Sequence, residues 1–159
     1  MKRLMLAGLI VSMIQVMPAR AAEQSAPLLG SWALDVTHSQ IPPEARPKSV
    51  VITYKDVGAG TWSTDVAIVG SDDTKINATG SYLLDGTPAP STGYMNVDTV
   101  AAKSPTPNVL VMAFYKEGMP RTTRTYIVAS DGKTMSETIV WLNINGKPEI
   151  TTNTFNRVE

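Results

Sequence analysis

The sequence predicts an all-β fold: a single antiparallel meander barrel of about eight to ten strands, behind a cleaved signal peptide. Three observations carry that reading. Apolar and polar residues alternate with period two in run after run, the pattern of strands with one buried face. Turn residues interrupt the runs at short, regular intervals. No stretch beyond the leader carries a clear helical period.

The leader comes first. Met1-Lys2-Arg3 is basic, Leu4 to Met17 is 14 residues without a charge, and Pro18-Ala19-Arg20-Ala21 ends in an A-x-A pattern. A membrane-spanning helix needs roughly 20 apolar residues, so this run fits a cleaved leader better than an anchor. Cleavage near Ala21 divides the chain into a signal peptide (1–21), a flexible lead-in (22–28) and a barrel domain (29–159). The mature protein is then expected in the periplasm or secreted, with no membrane span. There is no cysteine, so neither a disulfide nor a thiolate site is available and the fold depends on burial.

Charge excludes one class of partner. The whole chain has 14 Lys plus Arg against 14 Asp plus Glu, and loss of Lys2, Arg3 and Arg20 leaves 11 against 14, a net −3. Nucleic-acid binding depends on neutralising phosphates, and no basic cluster offsets this balance.

The strands follow in order. A first strand opens at Gly30; Val50, Ile52 and Tyr54 alternate in the second, and Gly58-Ala59-Gly60 turns it. Trp62, Thr64, Val66 and Ile68 share one face of the third, which ends at Gly70-Ser71-Asp72-Asp73. Ile76, Ala78, Gly80, Tyr82 and Leu84 share a face of the fourth, closed by Asp85-Gly86, and Pro88-Ala89-Pro90-Ser91 reads as loop. Further strands are expected near 96–103, 108–116, 121–129, 134–142 and 149–158, separated by Ser104-Pro105-Thr106-Pro107, Glu117-Gly118, Asp131-Gly132 and Asn145-Gly146. That makes about nine strands, nearly all joined by hairpin-length turns. Such a meander closes on itself because closure removes its edges. The one long connection, Thr37 to Pro47, is expected as a short helix or a lid at one mouth, with its prolines limiting any helix.

The opening "GSWALDVTHSQIPPEARPKS" resembles the start of small secreted bacterial lipocalin-like proteins, and "SDGKTMSETIVWLNINGKPEITTNTFNRVE" looks like their closing hairpins. The resemblance implies a barrel and export but no reaction. It also implies a closure device: the tryptophan of Gly-x-Trp at the closed end, covered by a basic residue of the last strand. Here those positions are Gly30, Trp32 and Arg157. A guanidinium on an indole gains on the order of 0.5–2 kcal/mol and ties the chain ends together.

The expected function is binding of a small hydrophobic or amphipathic ligand in the barrel, with Trp62, Val66, Ile68, Ile76 and Tyr82 lining the cup. Arg124-Thr125-Tyr126 is similar to the Arg-x-Tyr pair with which fatty-acid-binding proteins hold a ligand carboxylate, a forked, charge-assisted grip. It departs from that family in lying two strands before the end. Candidate ligand-binding residues are therefore Trp62, Tyr82, Arg124 and Tyr126, although the plainer expectation turns Arg124 outward and gives Thr123, Thr125 and Ile127 the interior face.

An enzyme is not expected. His38 is the single histidine and sits in a polar break, and Asp72-Asp73 with Asp85 reads as turn chemistry rather than a calcium loop. No catalytic residue, metal or cofactor is expected. Two segments are apolar on both faces: Val109 to Phe114 and Ile139 to Leu142. Either the N-terminal segment or the 37–47 loop covers them, or a homodimer forms through Leu110, Met112 and Phe114. The competing function is a structural or protein-interaction module of the cell envelope with a filled barrel. An interior cavity above roughly 300 Å³ separates the two in favour of a ligand.

Overall fold

The computed structural model describes residues 26–158, so the leader lies outside the described residues. Ten strands form one closed antiparallel barrel: β1 (Gly30–Leu34), β2 (Ser49–Gly58), β3 (Thr61–Val69), β4 (Lys75–Leu83), β5 (Asp85–Thr92), β6 (Thr99–Thr106), β7 (Val109–Lys116), β8 (Met119–Val128), β9 (Thr134–Leu142) and β10 (Pro148–Arg157). Each strand pairs with its sequence neighbours, and β1 also pairs with β10 to shut the ring. The meander expected from the turns is the observed topology.

The tenth strand is β5, where prolines argued for a loop. Its position explains how they are tolerated. Ser91 N donates to Asp98 O at 2.9 Å on the β6 side. Pro88 and Pro90 are of the opposite parity, so their missing N–H groups face β4. Pairing between β4 and β5 is correspondingly thin, limited to Thr79↔Thr92 and Gly80↔Ser91. The prolines sit where a ladder is already interrupted.

Gly93 ends β5 under a tight constraint. Its φ is +87°, and a Cβ there would lie 1.9 Å from the Asn77 carbonyl oxygen of β4. Gly93→Ala is expected to destabilise the fold by more than about 1 kcal/mol, from both the left-handed conformation and the backbone clash. A urea midpoint unchanged from wild type would contradict this.

The core is the inner surface of the barrel. Trp62, Tyr82, Ala102, Leu110, Val128 and Met135 pack its closed end with Trp32 and Leu28. Leu28 is fully buried, and Leu29 N donates to Ala26 O at 3.0 Å. The lead-in expected to be flexible through residue 28 is therefore built into the plug from Ala26 onward. The Trp32 indole N–H donates to Leu28 O at 2.9 Å, which holds that segment under the barrel.

The apolar runs resolve by register rather than by a covering layer. Leu110 and Met112 are inside, 0% and 3% exposed, and Phe114 lines the interior behind them. A dimer surface made of Leu110, Met112 and Phe114 is thus corrected: period two turns all three inward. The outward Val111 is half-buried, with Lys103 and Thr125 as its register partners on the adjacent strands. In β9, Ile139 and Trp141 point in, while Val140 and Leu142 stay exposed on the wall. The 37–47 connection forms no helix, and it lies across the mouth instead of along the wall. Ser39 Oγ donates to Asn153 Oδ1 at 3.4 Å, and Thr151 Oγ1 donates to Gln40 Oε1 at 3.5 Å. Arg46 ties the connection to itself by donating to Ile41 O and Ser39 O.

Candidate functional site

Above the plugged end the barrel holds a cavity of about 810 Å³. Val50 and Ile52 of β2, Val66 and Ile68 of β3, and Ile76 and Ala78 of β4 make one apolar wall. Met112, Phe114, Ile139 and Trp141 make the opposite one, and Ile41, Ala45 and Pro47 of the long connection lie over the mouth. This placement is what strand alternation dictates: every second residue faces inward, and the inward set is apolar.

Trp62 and Tyr82 do not line this space. They are 5% and 2% exposed, face each other across β3 and β4, and belong to the packed closed end. Their expected ligand role is corrected by their position along the strands: they are the next inward residues toward the closed end from Thr64 and Gly80, which line the cavity. Tyr82 OH and Thr64 Oγ1 share a hydrogen bond, and burial pushes the Tyr82 phenol up to about 12 against the opposing effect of that bond.

Arg124 and Tyr126 do line it, and here the sequence expectation reverses. Thr123 is exposed and Ile127 is 42% exposed, so Arg124 and Tyr126 are the inward pair. Arg124 Nη1 donates to Glu137 Oε1 at 3.0 Å, and Asn153 Nδ2 donates to Glu137 Oε2 at 2.8 Å. Glu137 is 2% exposed, whereas the Arg124 side chain retains 32% of its surface, turned to the cavity. The guanidinium also stands 5.4 Å from the Phe114 ring centroid. Burial alone would lower the Arg124 pKa, but Tyr126 and Glu137 outweigh it and the group lies above its ordinary value. Tyr54 and Tyr126 meet edge to face with centroids 5.9 Å apart. Burial holds both phenols well above the ordinary value of 10, with Glu137 adding to the effect, so both are neutral donors at physiological pH. Among the described residues, two buried donors have no hydrogen-bond partner: Tyr54 OH and Arg124 Nε.

Sequence reading missed Glu137 and Asn153 as members of this cluster. The signal was present for Glu137, which shares its parity with Met135, Ile139 and Trp141 and so interrupts an apolar face.

At the closed end, Trp32 and Arg157 are direct register partners on β1 and β10. The guanidinium carbon is 4.1 Å from the indole ring centroid. Arg157 donates to Gly132 O at 2.7 Å and to Leu29 O at 2.8 Å, and reaches Pro27 O as well. A Cβ on Gly30 (φ +112°) would lie 2.8 Å from Arg157 Nη1, so glycine leaves room for the guanidinium.

His38 is outside the barrel, its side chain 82% exposed, with Nδ1 2.8 Å from Asp35 Oδ2. Hydrogen bonds from Thr37, then from His38, lower the Asp35 pKa from 3.8 to about 2. A depressed folded-state value stabilises the fold above pH 3.8, and the contribution is lost as pH falls toward 2. Asp35→Asn is expected to flatten the stability profile in that window. An unchanged profile between those pH values would contradict it. Asp72 accepts from Thr74 N at 3.0 Å and Asp85 accepts from Thr87 N at 2.8 Å, each a local turn contact, while Asp73 pairs at 2.6 Å with Lys48, just before β2.

These features define a closed ten-strand antiparallel β-barrel with a sealed end and a cavity opening at a mouth partly crossed by the long connection, a fold that resembles fatty-acid-binding and lipocalin-like barrels. The crystal structure of a mutant of the fluorescent protein UnaG is similar, with a TM-score of 0.55 at 13% identity, covering 84% of this chain and 97% of that one. EF1p2_mFAP2b bound to DFHBI has a TM-score of 0.46 at 10% identity over 84% of this chain and 98% of that one. At 13% identity the likeness to UnaG bears on the fold alone. No protein-family model matches the chain, and no curated protein matches it.

Proposed function

We propose that the protein is an exported carrier that takes a small amphipathic molecule into the barrel and releases it unchanged. One observation carries the reading: the closed barrel is not filled but holds a cavity of about 810 Å³ that opens at the mouth. Ligand sites typically run from about 300 to 1,000 Å³, are mostly apolar, and place a few polar groups to orient the ligand. The apolar walls here meet a polar floor of Arg124, Glu137, Asn153 and Tyr126. Export rests on the basic, apolar and A-x-A pattern of residues 1–21. The envelope-module alternative calls for side chains that pack the barrel solid, and the cavity argues against that.

Native mass spectrometry of the mature chain purified from its own host tests this. A small-molecule adduct lost on collisional heating is the expected result, together with an N-terminus near residue 22. A bare protein mass that accepts no apolar additive would overturn the carrier reading, and a retained leader would overturn export.

A further inference from the structure

The Arg-x-Tyr pair of a fatty-acid carrier suits a carboxylate, but the surroundings of Arg124 here do not. Its positive charge is already matched by Glu137 at 3.0 Å. Both Glu137 oxygens are engaged, by Arg124 and by Asn153, and the side chain is shut away at 2% exposure. A ligand carboxylate beside Arg124 would place a second anion next to a buried one, at a floor whose single cation is already matched; Arg121, the other arginine on the lining, is exposed near the start of β8. Two like charges in such surroundings oppose each other far more than in water. What the floor does offer is donors. The Arg124 side chain keeps 32% of its surface at the cavity, whereas Tyr54 OH and Arg124 Nε, though without hydrogen-bond partners, are buried behind it. The glutamate, the only carboxylate of the floor cluster, has no accessible oxygen with which to accept from a ligand.

Resting on the carrier reading above, we infer that the cavity selects an uncharged ligand whose polar end is a hydrogen-bond acceptor, such as an amide, ester or ketone on an apolar body, and discriminates against carboxylates. The acceptor end meets the exposed part of the Arg124 guanidinium, and the apolar body lies between the β2–β4 wall and the Phe114 and Trp141 side. A hydrogen bond from a charged donor is stronger than one between neutral groups. The Arg124–Glu137 pair then works as a charge filter as well as an anchor.

Dodecanamide and dodecanoate differ only at the head and separate the alternatives at neutral pH by calorimetric titration. The amide is expected to bind wild type about tenfold or more tightly than the acid. Glu137→Gln frees Arg124, so the order is expected to reverse, with dodecanoate raising the thermal midpoint of that variant. The double variant Arg124→Met with Glu137→Leu removes both charges and is expected to fold while binding the amide several-fold more weakly. This arm stands even where Glu137→Gln yields no folded protein. Dodecanoate binding wild type as tightly as the amide, or an unchanged amide affinity in the double variant, would overturn the inference. Uncharged N-phenylnaphthylamine serves as a control for the cavity. If it binds but the head-group order is wrong, only the selectivity falls; if it too fails to bind, the carrier reading falls with it.

Discussion

Trp32→Ala is expected to lower the unfolding free energy by about 3–5 kcal/mol, the range for removing a large buried aromatic side chain. The indole is fully buried and at the point where the chain's two ends meet. Its removal opens a void at the sealed end, releases Leu28 from the indole N–H, and leaves Arg157 without its ring. A small domain has only about 5–15 kcal/mol in total, so the variant is expected near the edge of folding. Arg157→Met is a milder test, because the methylene stem is kept and the carbonyls of Gly132 and Leu29 lose a donor. A double-mutant cycle between the two positions is expected to give a coupling of about 0.5–2 kcal/mol. Far-UV circular dichroism in urea measures all of these without depending on tryptophan emission. A Trp32→Ala loss below about 1 kcal/mol would mean that the ends are held by something else.

Breaking the interior ion pair has an effect of similar size for a different reason. Glu137→Leu leaves the Arg124 charge inside the barrel with no counter-charge, and is expected to cost about 3–5 kcal/mol. Removing both partners, as Arg124→Met with Glu137→Leu, leaves no uncompensated charge and is expected to recover most of that loss or exceed wild type. The double variant therefore separates two roles. A pair kept for stability alone would make the double variant as unstable as the single one. A pair kept for ligand selection leaves a stable barrel that no longer tells an amide from a carboxylate. Urea unfolding of the three proteins, followed by dodecanamide and dodecanoate titration of the double variant, decides between them.

The barrel was legible because its strands alternate so regularly. Val50, Ile52 and Tyr54, and Val66 and Ile68, face the interior as their period requires. The closure residues were legible through the resemblance of Gly30-x-Trp32 to the lipocalin opening, which implied a basic residue of the last strand over the ring, and Trp32 and Arg157 are register partners. Strand β5 was not, because Pro88 and Pro90 are tolerated only through a gap in β4–β5 pairing, and which strand edge is left unpaired is a tertiary fact. The inward turn of Arg124 was missed for a related reason. Its run offers Arg124, Tyr126 and Val128 on one face and Thr123, Thr125 and Ile127 on the other, and a one-residue slip exchanges them. The register shift between Phe114 and Tyr115 is of that kind. A charged residue on the inner face becomes intelligible only with its partner, and Glu137 comes from the neighbouring strand.

The interior space and its access are tested together by titrating the folded protein with N-phenylnaphthylamine while exciting tryptophan. Trp141 lines the cavity, so a dye inside the barrel lies beside it. Saturable one-to-one binding with energy transfer from tryptophan to the dye is the predicted result. Absence of saturable binding by a protein whose circular dichroism shows an intact β-fold would contradict it.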